Sequence, residues 1–211
     1  MITYELMKWA QLWDGILPRQ IIIYADFIDP FCYIGFHNAR RAAEAARVPL
    51  RWRGFELNPE TPKEGSLLET AANSDLRPGM WASVRDFARK SGLTLNDPGY
   101  VPNTRLAHRW VQSIKNQDVK NSLIERIYQA YLSDKKDIGN PLLLSGLAME
   151  FAQSSDTLHK AEDQDDDTSM EEFRRQALAR KFPGMPGFVY RGKTYFGALS
   201  EDAWNTLLKN N

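Results

Sequence analysis

The chain has 211 residues, long enough for one large domain or for one domain carrying an insertion. Its 27 Lys and Arg balance its 27 Asp and Glu, so no net field draws nucleic acid or an anionic membrane. A hydrophobic fraction of 43% with six tryptophans excludes global disorder, and a single cysteine excludes an intrachain disulfide and points to a reducing, cytoplasmic setting.

Residues 1–10 carry charges inside any candidate apolar region, so no signal peptide is expected, and no stretch is long enough to span a bilayer. Residues 4–14 predict a short helix with Leu6, Met7, Ala10 and Trp13 on one side. Residues 20–28 are almost continuously apolar, as in a central strand covered on both faces. Asp29 then stands where an N-cap is wanted and Pro30 where a first helical turn tolerates proline, and the helix is predicted to reach about Ala46. Residues 48–55 alternate apolar and basic side chains, a second strand placed near an edge by Pro49.

Residues 56–65 are a proline-studded exit from that strand. Residues 66–180 show helical periodicity and no further strand, with helices predicted at about 78–92, 103–117, 119–133 and 141–153. Asp163, Asp165 and Asp167 alternate as in a calcium loop. Thr168 stands where the loop needs glycine and Arg174 where it needs glutamate, so a solvated loop is expected and no metal site. Arg174, Arg175, Arg180 and Lys181 suit the end of the next helix. Residues 187–196 read as a hairpin, and Ser200 caps a closing helix through Leu208. The order βαβ, helical block, ββα predicts an α/β fold. In it, residues 18–60 and 181–211 form one unit, 61–180 a helical insertion and 1–17 an N-terminal extension.

The chemistry gathers at Asp29-Pro30-Phe31-Cys32, between strand and helix. A strand feeding a helix through four residues that end in cysteine is how a thiol–disulfide oxidoreductase is built, but there the first of the four is also cysteine. Around this segment the sequence resembles the DsbA family of thioredoxin-fold proteins, and within it the FrnE-type branch. The residues that carry the likeness run from Asp26 to Gly35, which match Asp-x-x-Cys-Pro-Trp-Cys-Tyr-Ile/Leu-Gly, and include Phe55-Glu56-Leu57-Asn58-Pro59. Pro102 to Arg109, Gly184-Met185-Pro186-Gly187-Phe188-Val189 and Phe196-Gly197-Ala198 complete it. The resemblance implies a thioredoxin fold with an α-helical insertion and a cis peptide at Met185-Pro186 facing the helix start. Three positions depart from the family pattern: Asp29 for the attacking cysteine, Gly187 for threonine and Leu199 for glutamine.

With one thiol, Cys32 can form at most a mixed disulfide or a sulfenic acid. The helix start favours a thiolate there by roughly 0.3–1 kcal/mol. Asp29 opposes it, since two like charges about 4 Å apart interact by at most roughly 4 kcal/mol at an effective dielectric of 20. Cys32 is therefore expected to be a quiet, partly buried thiol. Asp29 is either an N-cap alone or also a general base toward an incoming thiol or an acidic carbon.

The kappa-class glutathione transferases and the 2-hydroxychromene-2-carboxylate isomerases resemble this chain with Ser-Pro-Tyr in place of Asp29-Pro30-Phe31; their serine donates to the glutathione thiolate. The likeness implies catalytic positions at Asp29 and Cys32, and substrate or glutathione positions at Pro30, Phe31, Met185, Pro186, Ala198, Leu199 and Ser200. The Met185 backbone would pair with an extended peptide, and the helix starting near Ser200 would offer N–H groups to a carboxylate. No tightly bound cofactor is expected, only glutathione as cosubstrate. The partners are a small thiol or a peptide, with no nucleic acid and no membrane; family relatives add the expectation of a homodimer. The function is accordingly an oxidoreductase-like protein of thiol or glutathione chemistry in which dithiol exchange is absent. The alternatives are a redox-inactive binding protein using the cis-proline groove, a glutathione-dependent isomerase or transferase, or a sensor built on Cys32. His108 is predicted to be helical and structural, His37 lies one turn beyond Cys32, and His159 falls in a loop; no spacing forms a metal set. Phe31, Tyr33, Phe36 and Trp52 line either an apolar cleft or the core.

Overall fold

The computed structural model describes residues 19–67, 77–151 and 168–209. The helix expected at residues 4–14, the acidic loop at 163–167 and His159 lie outside them. In chain order the elements are β1 (Ile21–Ala25), α1 (Pro30–Ala46), β2 (Leu50–Gly54), the short β3 (Ser66–Leu67), α2 (Arg77–Lys90), the short β4 (Tyr100–Val101), α3 (Arg105–Ser113), α4 (Gln117–Tyr128), α5 (Pro141–Glu150) and α6 (Thr168–Ala179), then β5 (Gly187–Tyr190), β6 (Lys193–Phe196) and α7 (Glu201–Lys209).

Four strands form one sheet in the order β2-β1-β5-β6, with β2 parallel to β1 and the other neighbours antiparallel. β1 is central and wholly buried. Because side chains alternate across a strand, Ile21, Ile23 and Ala25 enter the main core, while Ile22 and Tyr24 join Phe55, Ala177 and Val189 on the other face. β2 is an edge strand, as Pro49 predicted: Leu50, Trp52 and Gly54 are buried and Arg51 is exposed. The β5–β6 hairpin turns through Arg191 and Gly192, both at positive φ (46° and 73°), the conformation a two-residue hairpin needs.

The main core lies between the sheet, α1, α7 and the helices of the segment joining β2 to β5. α6 packs against β2 and covers the second face with Ala177. The helix predicted over 103–117 stops at Ser113, because Ile114 is extended (φ −71°, ψ 120°) and Asn116 opens α4 by accepting from the Asp118 and Val119 amides. Past Tyr128, α4 continues as a π-helical turn over Gln129–Ser133. β3 and β4 pair antiparallel and correct the expectation of no strand in this segment. Two residues per strand are too few for a period-2 pattern to register in the sequence.

Candidate active site at the start of the first helix

Asp29 is the N-cap of α1: its backbone is extended (φ −96°, ψ 118°) and Oδ1 accepts from the Phe31 amide at 2.9 Å. Its other oxygen, Oδ2, accepts from the Cys32 thiol at 3.0 Å. The carboxylate is therefore held at both oxygens by the first turn of the helix it caps. Burial pushes its pKa up, and the hydrogen bonds from Cys32 and Phe31 oppose the shift without cancelling it. Cys32 is 0% exposed, which corrects the expectation of a partly buried thiol. Its i+1 and i+4 neighbours Tyr33 and Phe36 join it in the main core, so the sulfur faces inward. Burial first, and then the charge of Asp29, pushes the thiol pKa well above its ordinary value.

The cis Met185–Pro186 peptide lies against α1 one turn beyond Cys32. Gly35 makes this approach: a Cβ there would stand 2.9 Å from Pro186 Cγ, 3.2 Å from the Phe188 ring and 3.4 Å from Ala198 Cα. The Pro186 carbonyl accepts from the Gly197 amide at 2.9 Å, and the Leu199 carbonyl accepts from Asn38 Nδ2 of α1 at 3.0 Å. Ser200 Oγ caps α7 by accepting from the Ala203 amide at 3.2 Å. Pro186, Ala198 and Leu199 thus converge on α1 just behind Asp29 and Cys32. Ser200 is exposed and opens a cleft of about 610 Å³ between α1, the end of α2 and α7, lined by Asn38, Arg41, Phe87, Lys90, Ser200 and Glu201. That volume falls within the range of small-molecule sites. Phe31 is 37% exposed and meets the edge of the Phe87 ring, with centroids 6.0 Å apart, and so adjoins a residue that lines this cleft. Tyr33, Phe36 and Trp52 pack in the core. Pro30 sits in the first turn and is half-buried; Met185 is half-buried and packs against both core clusters.

Two of the three departures have a local cause. A Cβ at Gly187 would lie 2.6–2.7 Å from the Phe182 ring, which packs on Tyr24 with centroids 5.7 Å apart, so Phe182 occupies the room a threonine would need. At residue 199 the tie to α1 runs through the backbone carbonyl, which leucine supplies as well as glutamine.

Asp26, which entered only as the first residue of the family likeness, anchors the site from below. It is fully buried at the end of β1. Oδ1 accepts from the Phe27 amide (2.7 Å), the Thr104 hydroxyl (3.0 Å) and His108 Nε2 (3.0 Å), and Oδ2 accepts from the Leu57 amide (2.7 Å). Its own carbonyl accepts from Tyr128 OH at 2.8 Å. Since the carboxylate only accepts, His108 carries its proton on Nε2; His108 Nδ1 is buried and unpartnered among the described residues. The signal was legible: a lone carboxylate closing an apolar strand must find buried donors. His37 belongs to a second polar knot, donating from Nδ1 to Glu125 Oε1 at 2.7 Å beside the Tyr33 hydroxyl, which donates to the same oxygen at 3.1 Å. Among the described residues no group of three or more His, Cys, Asp or Glu is arranged to hold a metal, and no helix is long and apolar enough to cross a membrane.

Residues 20–209 match the family described as DSBA-like thioredoxin domain. YwbO of Bacillus subtilis (strain 168) is 24% identical over 198 residues, covering 90% of this chain and 96% of that protein. Solved structures share the fold, among them the following two. The probable DsbA oxidoreductase SCO1869 of Streptomyces coelicolor superposes with a TM-score of 0.79 at 19% identity, over 90% of this chain and 88% of that one. A 2-hydroxychromene-2-carboxylate isomerase superposes with a TM-score of 0.71 at 16% identity, over 90% and 93%.

Proposed function

The chain belongs to the family of DsbA-like thioredoxin domains, a fold shared by oxidoreductases and isomerases, and on that footing we propose that it binds a small thiol, glutathione foremost, with Asp29 as the acceptor of the thiol proton. The observation that carries this reading is the Asp29 carboxylate itself. It stands where the family's attacking sulfur would stand, and burial raises its proton affinity toward the range a base needs. Cys32 serves it as a buried hydrogen-bond donor. Dithiol exchange is absent from this scheme, because it needs a second thiol to resolve the mixed disulfide and the chain has one.

The step balances without an oxidant. The S–H bond of the incoming thiol breaks, its proton passes to Asp29 Oδ, and the thiolate adds to an electron-poor carbon of a second substrate. The proton then returns from Asp29 to the neighbouring carbon, completing an addition. If, after rotation, Asp29 takes that proton back as the carbon–sulfur bond breaks, the double bond re-forms, the released thiolate recovers the proton from Asp29, and the net result is isomerisation. The cleft lined by Phe87, Lys90 and Ser200, with Phe31 beside it against the Phe87 ring, supports the reading with a volume suited to a tripeptide thiol. A reducing, cytoplasmic setting goes with it, since a thiol cosubstrate must stay reduced.

The sealed position of Cys32 favours a second reading, a redox-inactive protein that holds an extended peptide along the Met185–Pro186 loop. Calorimetric titration with glutathione and with S-methylglutathione separates the two, read together with the rate at which bound glutathione adds to an electron-poor alkene. The first reading expects glutathione to bind both the wild type and Asp29→Asn, and the addition to slow roughly 100-fold or more in the variant. Binding with equal addition rates on both proteins removes the base role. No binding of either compound leaves the peptide reading.

A further inference from the structure

We propose a second ligand site at the far end of α1, where the cleft between α1, the turn into β2 and the start of α4 takes a small organic phosphate. The cleft measures about 420 Å³ and has an apolar floor of Ala43, Val48, Pro49 and Leu50 beneath a rim that includes Arg47 and Arg51. Arg47, the C-cap of α1, lies some 18 residues along the helix from Asp29, or about 27 Å at 1.5 Å per residue, so this cleft is separate from the one beside Phe31.

Its cations are of two kinds. Arg40 is spent on structure: Nε donates to Glu44 at 2.7 Å, and its terminal nitrogens donate to the Asn121 carbonyl and the Ser122 hydroxyl. Arg47 and Arg51 are exposed, and neither has an ion-pair partner among the described residues. Arg51 is held in place by Gln117 Oε1 at 2.7 Å, and Arg47 is fixed in a left-handed cap (φ 53°) by its amide bonds to Ala43 and Glu44. The charge of Arg51 is felt nearby: after burial, it is the second cause that holds the Lys120 ammonium below its usual pKa. An anion at the Arg51 guanidinium relieves this repulsion.

Guanidiniums present parallel N–H donors that fit phosphate oxygens two at a time. The apolar floor beneath them calls for a flat hydrocarbon body on the same ligand, which inorganic phosphate lacks. Two carboxylates oppose the guanidiniums at this rim: Glu44, paired with Arg40, and Asp118, exposed on the first turn of α4.

Phenyl phosphate is the probe, titrated by calorimetry at low salt and mapped by amide chemical shifts. Saturable binding is expected, with shifts confined to residues around 40–51 and 117–121, and phenol and inorganic phosphate should each bind more weakly. Arg47→Gln and Arg51→Gln, both at exposed positions and checked for unchanged thermal unfolding, should each weaken binding about tenfold, the loss of one charge-assisted pair. Asp118→Asn should tighten it. No saturable binding, shifts that map elsewhere, or binding indifferent to all three substitutions overturns the proposal. Benzoate binding as tightly as phenyl phosphate overturns the phosphate assignment.

Discussion

Asp29 pushes Cys32 toward the protonated state, whereas the hydrogen bond from Cys32 favours the ionised carboxylate and it is chiefly burial that raises the Asp29 pKa. Folding raises the Cys32 pKa, so the thiol stays protonated at neutral pH and has no thiolate to offer. Alkylation by iodoacetamide should be slow in the native protein and fast in denaturant, with mass spectrometry following the adduct; fast native labelling would contradict the sealed geometry. Asp29 also has a raised pKa in the fold, so the native state holds its proton over a pH window in which the unfolded chain, with an ordinary carboxyl near 3.8, has released it. In that window the native state binds more protons, so stability gained from this group is present at low pH and is lost as pH rises through the folded pKa. Asp29→Asn, which keeps an N-cap acceptor, should remove that slope: the difference in Tm between variant and wild type should grow from about pH 4 toward neutral. A difference that is flat with pH would mean that the carboxyl titrates normally. Asp29→Cys should restore two thiols and give measurable disulfide reductase activity.

At the scale of elements, the site depends on how closely the first helix meets the proline loop. α1 starts and ends where Asp29, Pro30 and Ala46 placed it in the sequence, and the strand alternation of Leu50, Trp52 and Gly54 was equally readable. These are local signals, written in capping, proline and period-2 chemistry. Gly35 was quoted in the family likeness without a reason, and the reason is tertiary: only the fold brings Pro186, Phe188 and Ala198 to it. Asn38 was unreadable for the same cause, since its partner, the Leu199 carbonyl, is 161 residues away. Gly35→Ala should cost roughly 1–3 kcal/mol through overpacking against Pro186. It should also weaken ligand binding beside Phe31 more than Gly79→Ala, a helical glycine with open space around it. Thermal unfolding and the glutathione titration check the two parts separately.

Across the whole molecule, Asp26 joins three stretches of chain that the sequence presented as separate. It gathers the end of β1, the exit from β2 at Leu57, and Thr104 and His108 of the helical segment. The sequence reading placed His108 correctly as helical and structural, but it could not supply the partner, because a buried carboxylate and its donors are assembled only by the fold. His108→Ala would leave Asp26 buried and short of one donor, and should cost about 1–3 kcal/mol. Denaturant unfolding measures the loss. Hydrogen exchange should show protection falling both in α3 and at the β1–α1 junction; a loss confined to α3 would mean that the two regions are not coupled through this carboxylate.

The tight meeting at Gly35 also has an evolutionary consequence. A lineage cannot gain a methyl group at residue 35 while keeping the proline ring at 186 and the phenyl at 188, because three atoms already fill the volume. Change at any one of these sites is tolerable only with compensation at another, so the helix start and the loop opposite should be inherited together even while the chemistry at position 29 drifts.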